Sequence, residues 1–313
     1  MPLGLGLAYS HSPILFRPRG QWEVIYKKLT GSVSQPNRAA AETPEVLDAY
    51  FVRIETALAN LKHQLEIYQP TAIVMVVSDK ARVFGNTQTP QINIFVGTEL
   101  WGSTSYTELS EKHSEADPVT IACHSELSSW LADELTEEGF DINVSRIFRP
   151  IGDPDGGTVN AITDSAKKLI PESNVPIIPL YINSHKDPAI SGHRMPPLGK
   201  AIAKALDERP ERVAVMACGG LSGDPLGYLA GWIDETLDQW VISRLTRGRS
   251  EQLKTLWDLD SDTVRGQTRE IRNWIVVGSA MESLGAKATF LDYIPLHHST
   301  VGTAFAYWLP RVP

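Results

Sequence analysis

Six short apolar runs punctuate the chain, and each ends in turn-forming or polar residues. They are Leu3–Tyr9, Thr71–Val77, Ile92–Val96, Val175–Ile182, Val213–Cys218 and Ala288–Tyr293. Runs of this length, bounded by turn signals, read as buried strands. Between them lie longer amphipathic stretches. The clearest opens at Thr43, a good N-cap, with Pro44 at the first helical position. Its apolar residues Val46, Leu47, Tyr50, Phe51, Ile54, Leu58, Leu61 and Leu65 keep a 3.6-residue period, and Pro70 follows its end. Further helices fit Pro118–Glu138, Gly157–Leu169, Pro197–Asp207, Gly227–Leu245 and Gly266–Leu284. Such alternation predicts an α/β fold with a mostly parallel central sheet and helices on both faces. No linker-like stretch divides residues 1–313, so one domain is expected.

The balance of charge narrows the partners. A formal net charge of −8 argues against nucleic acid. No apolar run approaches the roughly 18 residues that span a membrane. The first residues, MPLGLGLAYSHSPILF, carry no early Lys or Arg and make a poor signal peptide. Cys123 and Cys218 each sit in apolar sequence and read as buried, reduced thiols. A cytoplasmic protein is expected. Residues 28–42 form one long polar insertion, a candidate lid or partner-binding loop.

Polar clusters follow several strands: Ser10-His11-Ser12, Ser78-Asp79-Lys80, Asn183-Ser184-His185, and the run from Gly219 to Asp224 that includes Ser222. In a parallel sheet these loops share one edge and line one cleft. The lysine at the mouth of such a cleft calls for explanation. Gly219-Gly220 lacks the spacing of a phosphate loop, and no Gly-x-Ser-x-Gly or His-Glu-x-x-His motif occurs. His297 and His298 suggest a metal site, but neighbours on an extended segment point opposite ways. Arg194, before MPPLGKAI, is a candidate clamp for an acidic substrate or a cap for a neighbouring loop. His113 and His124 receive no role.

The order of these clusters resembles the class III extradiol dioxygenases, the family of the catalytic subunit of protocatechuate 4,5-dioxygenase. LGLAYSHSP (5–13) is similar to its first strand and turn, which places His11 on the first metal ligand. VVSDKARVF (76–84) resembles its Asn-Asp-His-x-x-x-Phe segment, and MACGGLSGDPLG (216–227) its Gly-Thr-Gly-Gly-Met-Ser-His segment. Glu270 in TREIRNWIVVGSAM matches the glutamate ligand, and LDYIPLHHSTVGTAFAY is similar to the closing segment. The resemblance implies an aromatic small molecule as substrate, and Fe(II) as the family cofactor held by two histidines and a glutamate.

Three departures follow from the same comparison. Lys80 stands at the second histidine ligand, Gly223 at the acid–base histidine, and Asp155 at a further family histidine. A protonated lysine has no lone pair to offer a metal. No cofactor is therefore expected, and Lys80 is expected to pair with Glu270 where the family holds a dication. The first reading is a metal-free, non-ring-cleaving chain that assembles with itself or with a paralogous catalytic subunit. The second is a metal-independent enzyme using Lys80, His11 and Glu270 on a phenolic or carbonyl substrate, assisted by Asp224 or Asp155. The third is an active Fe(II) enzyme drawing its missing ligand from His185 or His298. Asp155, His185, Arg194, Ser222 and His298 are the candidate substrate-binding residues. Lys80→His together with Gly223→His is the smallest change expected to restore ring cleavage.

Overall fold

The computed structural model describes residues 2–86, 88–104, 118–170 and 175–310. Its strands are β1 (Leu3–Tyr9), β2 (Ala72–Ser78), β3 (Ile92–Phe95), β4 (Glu99–Ser103), β5 (Pro118–Ala122), β6 (Asn143–Ser145), β7 (Ile177–Ile182), β8 (Val213–Cys218), β9 (Ala288–Ile294) and β10 (Thr303–Trp308). Its helices are α1 (Trp22–Thr30), α2 (Asn37–Ala40), α3 (Pro44–Tyr68), α4 (Ser125–Glu137), α5 (Asn160–Lys168), α6 (Met195–Asp207), α7 (Glu235–Thr246) and α8 (Ile271–Ser283).

Eight strands form one sheet in the order β6-β3-β7-β2-β8-β1-β10-β9, while β4 and β5 pair separately. The centre, β7-β2-β8-β1, is parallel. On either side, β3 and β10 run antiparallel to it. The fold is thus α/β with a mostly parallel mixed sheet. Alternation along each strand sorts side chains onto two cores. Val74, Val76, Val215 and Ala217 pack with α4, α6 and α8. Ile73, Met75, Val77, Ala214 and Met216 pack with α3 and α5. Continuous apolar strands are what a sheet covered on both faces requires.

Several expected boundaries shift for local reasons. Pro118–Glu138 is not one helix. Its first residues pair with β4, in register Leu100↔Ile121, and α4 starts where the His124 ring accepts from Leu127 N (3.3 Å). The stretch 227–234 forms turns, and α7 begins at Glu235 because the Asp234 carboxylate accepts from Leu237 N (2.9 Å). Gly266–Glu270 is a 3-10 turn leading into α8. The stretch VGTAFAYWLP, outside the six expected strands, supplies β10 between β1 and β9, with Ala304, Phe305, Ala306 and Trp308 buried. The polar stretch 28–42 holds the end of α1 and all of α2, pinned by Gln35 Nε2 to Ala230 O (3.0 Å). No helix among the described residues is long and apolar enough to cross a membrane.

Candidate active-site cleft

Beyond the carboxyl ends of β1, β2 and β8, and against the Gly266–Glu270 turn, lies a cavity of about 310 Å³. His11, Lys80 and Glu270 all line it, with Gln267, Arg82 and Cys218. Lys80 is placed by its neighbour. As β2 ends, the Asp79 carboxylate accepts from the backbone N–H of Arg82 (3.1 Å), Val83 (2.9 Å) and Phe84 (3.2 Å). Ala81 turns into the left-handed region at φ +62°. This tight turn leaves Lys80 projecting at the mouth.

Glu270 is 4% exposed and fully engaged. Its Oε1 accepts from His185 Nε2 (2.7 Å) and forms an ion pair with Lys80 Nζ at 3.5 Å. Its Oε2 accepts from the Gln267 amide, whose Nε2 also donates to His11 O (3.1 Å) and whose Oε1 accepts from Lys80. Gly219, at φ +110°, makes the approach possible: a Cβ there would stand 1.9 Å from Glu270 Oε2. Burial alone would raise the Glu270 carboxyl, but Lys80 and then His185 hold it below its ordinary value. Burial pushes His185 down, against the pull of Glu270 and with help from Lys80 and Arg269, so this imidazole favours its neutral form. The result is a buried carboxylate facing one half-exposed ammonium.

His11 faces another way. Its Nε2 is bonded to Asp164 Oδ2 (3.0 Å) of α5, and its ring stacks on Phe16 with centroids 5.3 Å apart. Arg82 stiffens a wall by donating to Gly156 O (3.0 Å) and Asn160 Oδ1. Apolar faces come from Pro13, Leu29, Val159 and Leu226. Apolar walls with a few convergent polar groups suit a small amphipathic molecule. Cys218 is no nucleophile: burial pushes its thiol up to about 12, and it donates to Tyr9 Oη (2.7 Å). Among the described residues, no group of three or more His, Cys, Asp or Glu is arranged to hold a metal ion.

The other sequence candidates lie elsewhere. His185 stands behind Glu270 rather than on the cavity wall. Ser222 and Asp224 line a separate depression of about 370 Å³. There Ser222 Oγ accepts from Asp234 N (3.0 Å) and Asp224 Oδ2 from Leu229 N (3.2 Å). Asp155 is exposed and off the cavity; Asp153, two residues earlier, is on it. Arg194 lies over the Phe140 ring, 3.9 Å from Asp141. His297 and His298 occupy a buried 3-10 turn, not an extended segment, and Glu42 accepts both backbone N–H groups (2.7 and 2.9 Å) and His298 Nδ1 (2.5 Å). His113 lies outside the described residues. Gly223 cannot take the histidine expected to restore activity. Its φ is +155°, and a Cβ would stand 2.3 Å from Thr300 O. Sequence reasoning missed Gln267, Asp164 and Arg82. The signal for Asp164 was the polar inner face of α5, where Asn160, Thr163, Asp164 and Ser165 are buried.

The family described as the catalytic LigB subunit of aromatic ring-opening dioxygenase matches residues 9–305. A 2,3-dihydroxyphenylpropionate/2,3-dihydroxicinnamic acid 1,2-dioxygenase of Comamonas testosteroni is 29% identical over 208 residues, 65% of this chain and 59% of that protein. The dioxygenase of the same name from Azotobacter vinelandii is 22% identical over 285 residues, 77% of this chain and 86% of that protein. The chain thus spans under two thirds of the first relative's length and most of the second's. In fold, it is similar to the crystal structure of uncharacterized protein JW3007 from Escherichia coli K12, with a TM-score of 0.50 at 14% identity, covering 97% of this chain and 99% of that one.

Proposed function

The chain belongs to the family of the catalytic LigB subunit of aromatic ring-opening dioxygenases, and we propose that it is a metal-free, non-ring-cleaving member that serves a catalytic paralogue in the metabolism of catechol-like compounds. One observation carries the reading: the Lys80 ammonium sits 3.5 Å from Glu270, at the position where the resemblance puts a metal-ligating histidine. The donor set does not fit Fe(II). A protonated amine has no lone pair, both Glu270 oxygens are taken, and His11 Nε2 is turned to Asp164. In this reading Lys80 supplies the positive charge that keeps the buried carboxylate ionised, and the cleft persists as a binding and assembly element.

The test begins with the full chain purified anaerobically with added Fe(II). Iron content is expected to stay far below one per chain. Oxygen uptake with protocatechuate, gallate, 2-aminophenol or 2,3-dihydroxyphenylpropionate is expected to be absent. Near-stoichiometric iron with robust uptake would sink the proposal. A second reading is favoured by the opening of Lys80 onto the cavity beside Glu270: metal-independent proton transfer to or from a phenolic or carbonyl substrate. Turnover that survives chelators and is lost in Lys80→Met would select it.

A further inference from the structure

The cations on the wall of the cleft each face a carboxylate of the same wall. Lys80 Nζ is 3.5 Å from Glu270 Oε1, and Arg82 Nε is 3.7 Å from Asp153 Oδ2. Behind the wall, Asp164 stands 3.0 Å from His11 and 3.9 Å from Arg17. The Arg82–Asp153 pair is held from several sides. Asp153 N donates to Arg82 O (2.8 Å), and Asp153 Oδ1 accepts from Gly156 N (3.0 Å). Arg82 Nη2 donates to Gly156 O (3.0 Å). Gly156 leaves room for both side chains, because a Cβ there would stand 2.1 Å from Asp153 Oδ2 and 2.4 Å from Arg82 Nη2.

The cleft therefore offers a ligand hydrogen bonds but no surplus charge. An ammonium has three N–H groups, and among the described residues Lys80 directs them to Gln267 Oε1 and Glu270 Oε1. One is left for a neutral acceptor such as a hydroxyl. A carboxylate in the same space would meet Glu270 and Asp153 as well as Lys80 and Arg82. It would give up its water for no net attraction. We infer that the cleft takes an uncharged hydroxylated aromatic and rejects aromatic carboxylates, with Asp153 setting that preference by neutralising Arg82. The inference rests on the metal-free reading of the cleft, because a bound dication would add the positive charge that a carboxylate needs.

Isothermal titration calorimetry of the full chain at pH 7.5, in the presence of a chelator, compares 3,4-dihydroxybenzyl alcohol with protocatechuate. The two differ only in a hydroxymethyl group in place of a carboxylate. Saturable binding of the alcohol is expected, at least about tenfold tighter than that of the acid. Asp153→Asn keeps an oxygen for Gly156 N and releases the charge of Arg82. It is expected to tighten protocatechuate about fivefold, a modest gain because the Asp153 side chain is 35% exposed, and to leave the alcohol within about twofold. Asp155→Asn, the same change of charge at an exposed position off the cavity, is expected to alter neither affinity. Should Asp153→Asn fail to fold, the comparison on the unaltered chain decides alone. Three outcomes overturn the inference and leave the metal-free reading standing: acid bound as tightly as alcohol in chelator, no saturable heat with the alcohol whether or not Fe(II) is added, or the same preference in Asp153→Asn as in the unaltered chain. Binding that appears only once Fe(II) is supplied overturns both.

Discussion

Lys80 is worth more to this fold than a strand-end lysine in water. Glu270 is buried, its imidazole neighbour favours the neutral form, and the nearest ammonium is 3.5 Å away. Lys80→Met leaves that carboxylate with neutral donors only. The loss is expected to be about 1–2 kcal/mol in urea denaturation at pH 7, below the usual figure for breaking a buried pair because the Lys80 side chain is 41% exposed. Lys80→Arg, which keeps the charge, is expected to lose less. Gly219→Ala meets a harder obstacle. It places a methyl on Glu270 Oε2 at a backbone angle that L side chains rarely adopt, and is expected to cost about 2 kcal/mol or more in the same assay. The residue types at the cleft were readable, since polar residues after parallel strands share one edge. Room for a side chain was not. The resemblance puts a histidine at Gly223, yet the φ there and the nearby Thr300 carbonyl are set by tertiary contacts that no local pattern encodes.

Elements were legible wherever period and boundary signals agreed. The central strands and α3 carry both, and α3 opens with the Thr43 side chain accepting from Val46 N (3.4 Å). Where a strong signal masked a weaker one, boundaries moved. The stretch VGTAFAYWLP falls outside the six strand-like runs, yet pairing with β1 and β9 makes its centre β10. The start of α7 was obscured by the glycines and aromatics before Asp234. That helix carries Asp238, which ties three elements together: it accepts from Ser222 N (2.8 Å) and from Tyr293 Oη (2.8 Å) of β9. Burial pushes its carboxyl up to about 7, against those hydrogen bonds. A raised carboxyl stabilises the fold below its unfolded value of 3.8, and that contribution is lost as pH rises toward and through about 7. Asp238→Asn is therefore expected to be more stable than the unaltered chain at pH 8, by about 1–3 kcal/mol, and to lose the advantage by pH 4. Thermal midpoints at the two pH values decide it; the same difference at both would refute the assignment.

Across the whole molecule, acid acts through groups of opposite sign. The α/β architecture followed from the alternation of runs, but the balance of its buried charges depends on which side chains face each other across the sheet edge. Asp238 favours low pH. His185 and Glu270 favour high pH, because both are held below their ordinary values of 6.5 and 4.5. A depressed histidine stabilises the fold above 6.5; as pH falls below that, the unfolded chain takes up a proton that the folded chain declines. A depressed carboxyl adds the same direction of loss below 4.5. His185→Gln isolates the first effect, since an amide can still donate to Glu270 Oε1 without titrating. At pH 7.5 the variant is expected to lie within about 1 kcal/mol of the unaltered chain, for one neutral donor replaces another. Toward pH 5.5 the unaltered chain is expected to lose ground to it, with a slope of at most about 1.4 kcal/mol per pH unit. Urea midpoints at those two values provide the measurement. A difference that stays constant between them would mean that His185 binds its proton equally in both states, and the account of a neutral imidazole pressed against an ionised Glu270 would fall.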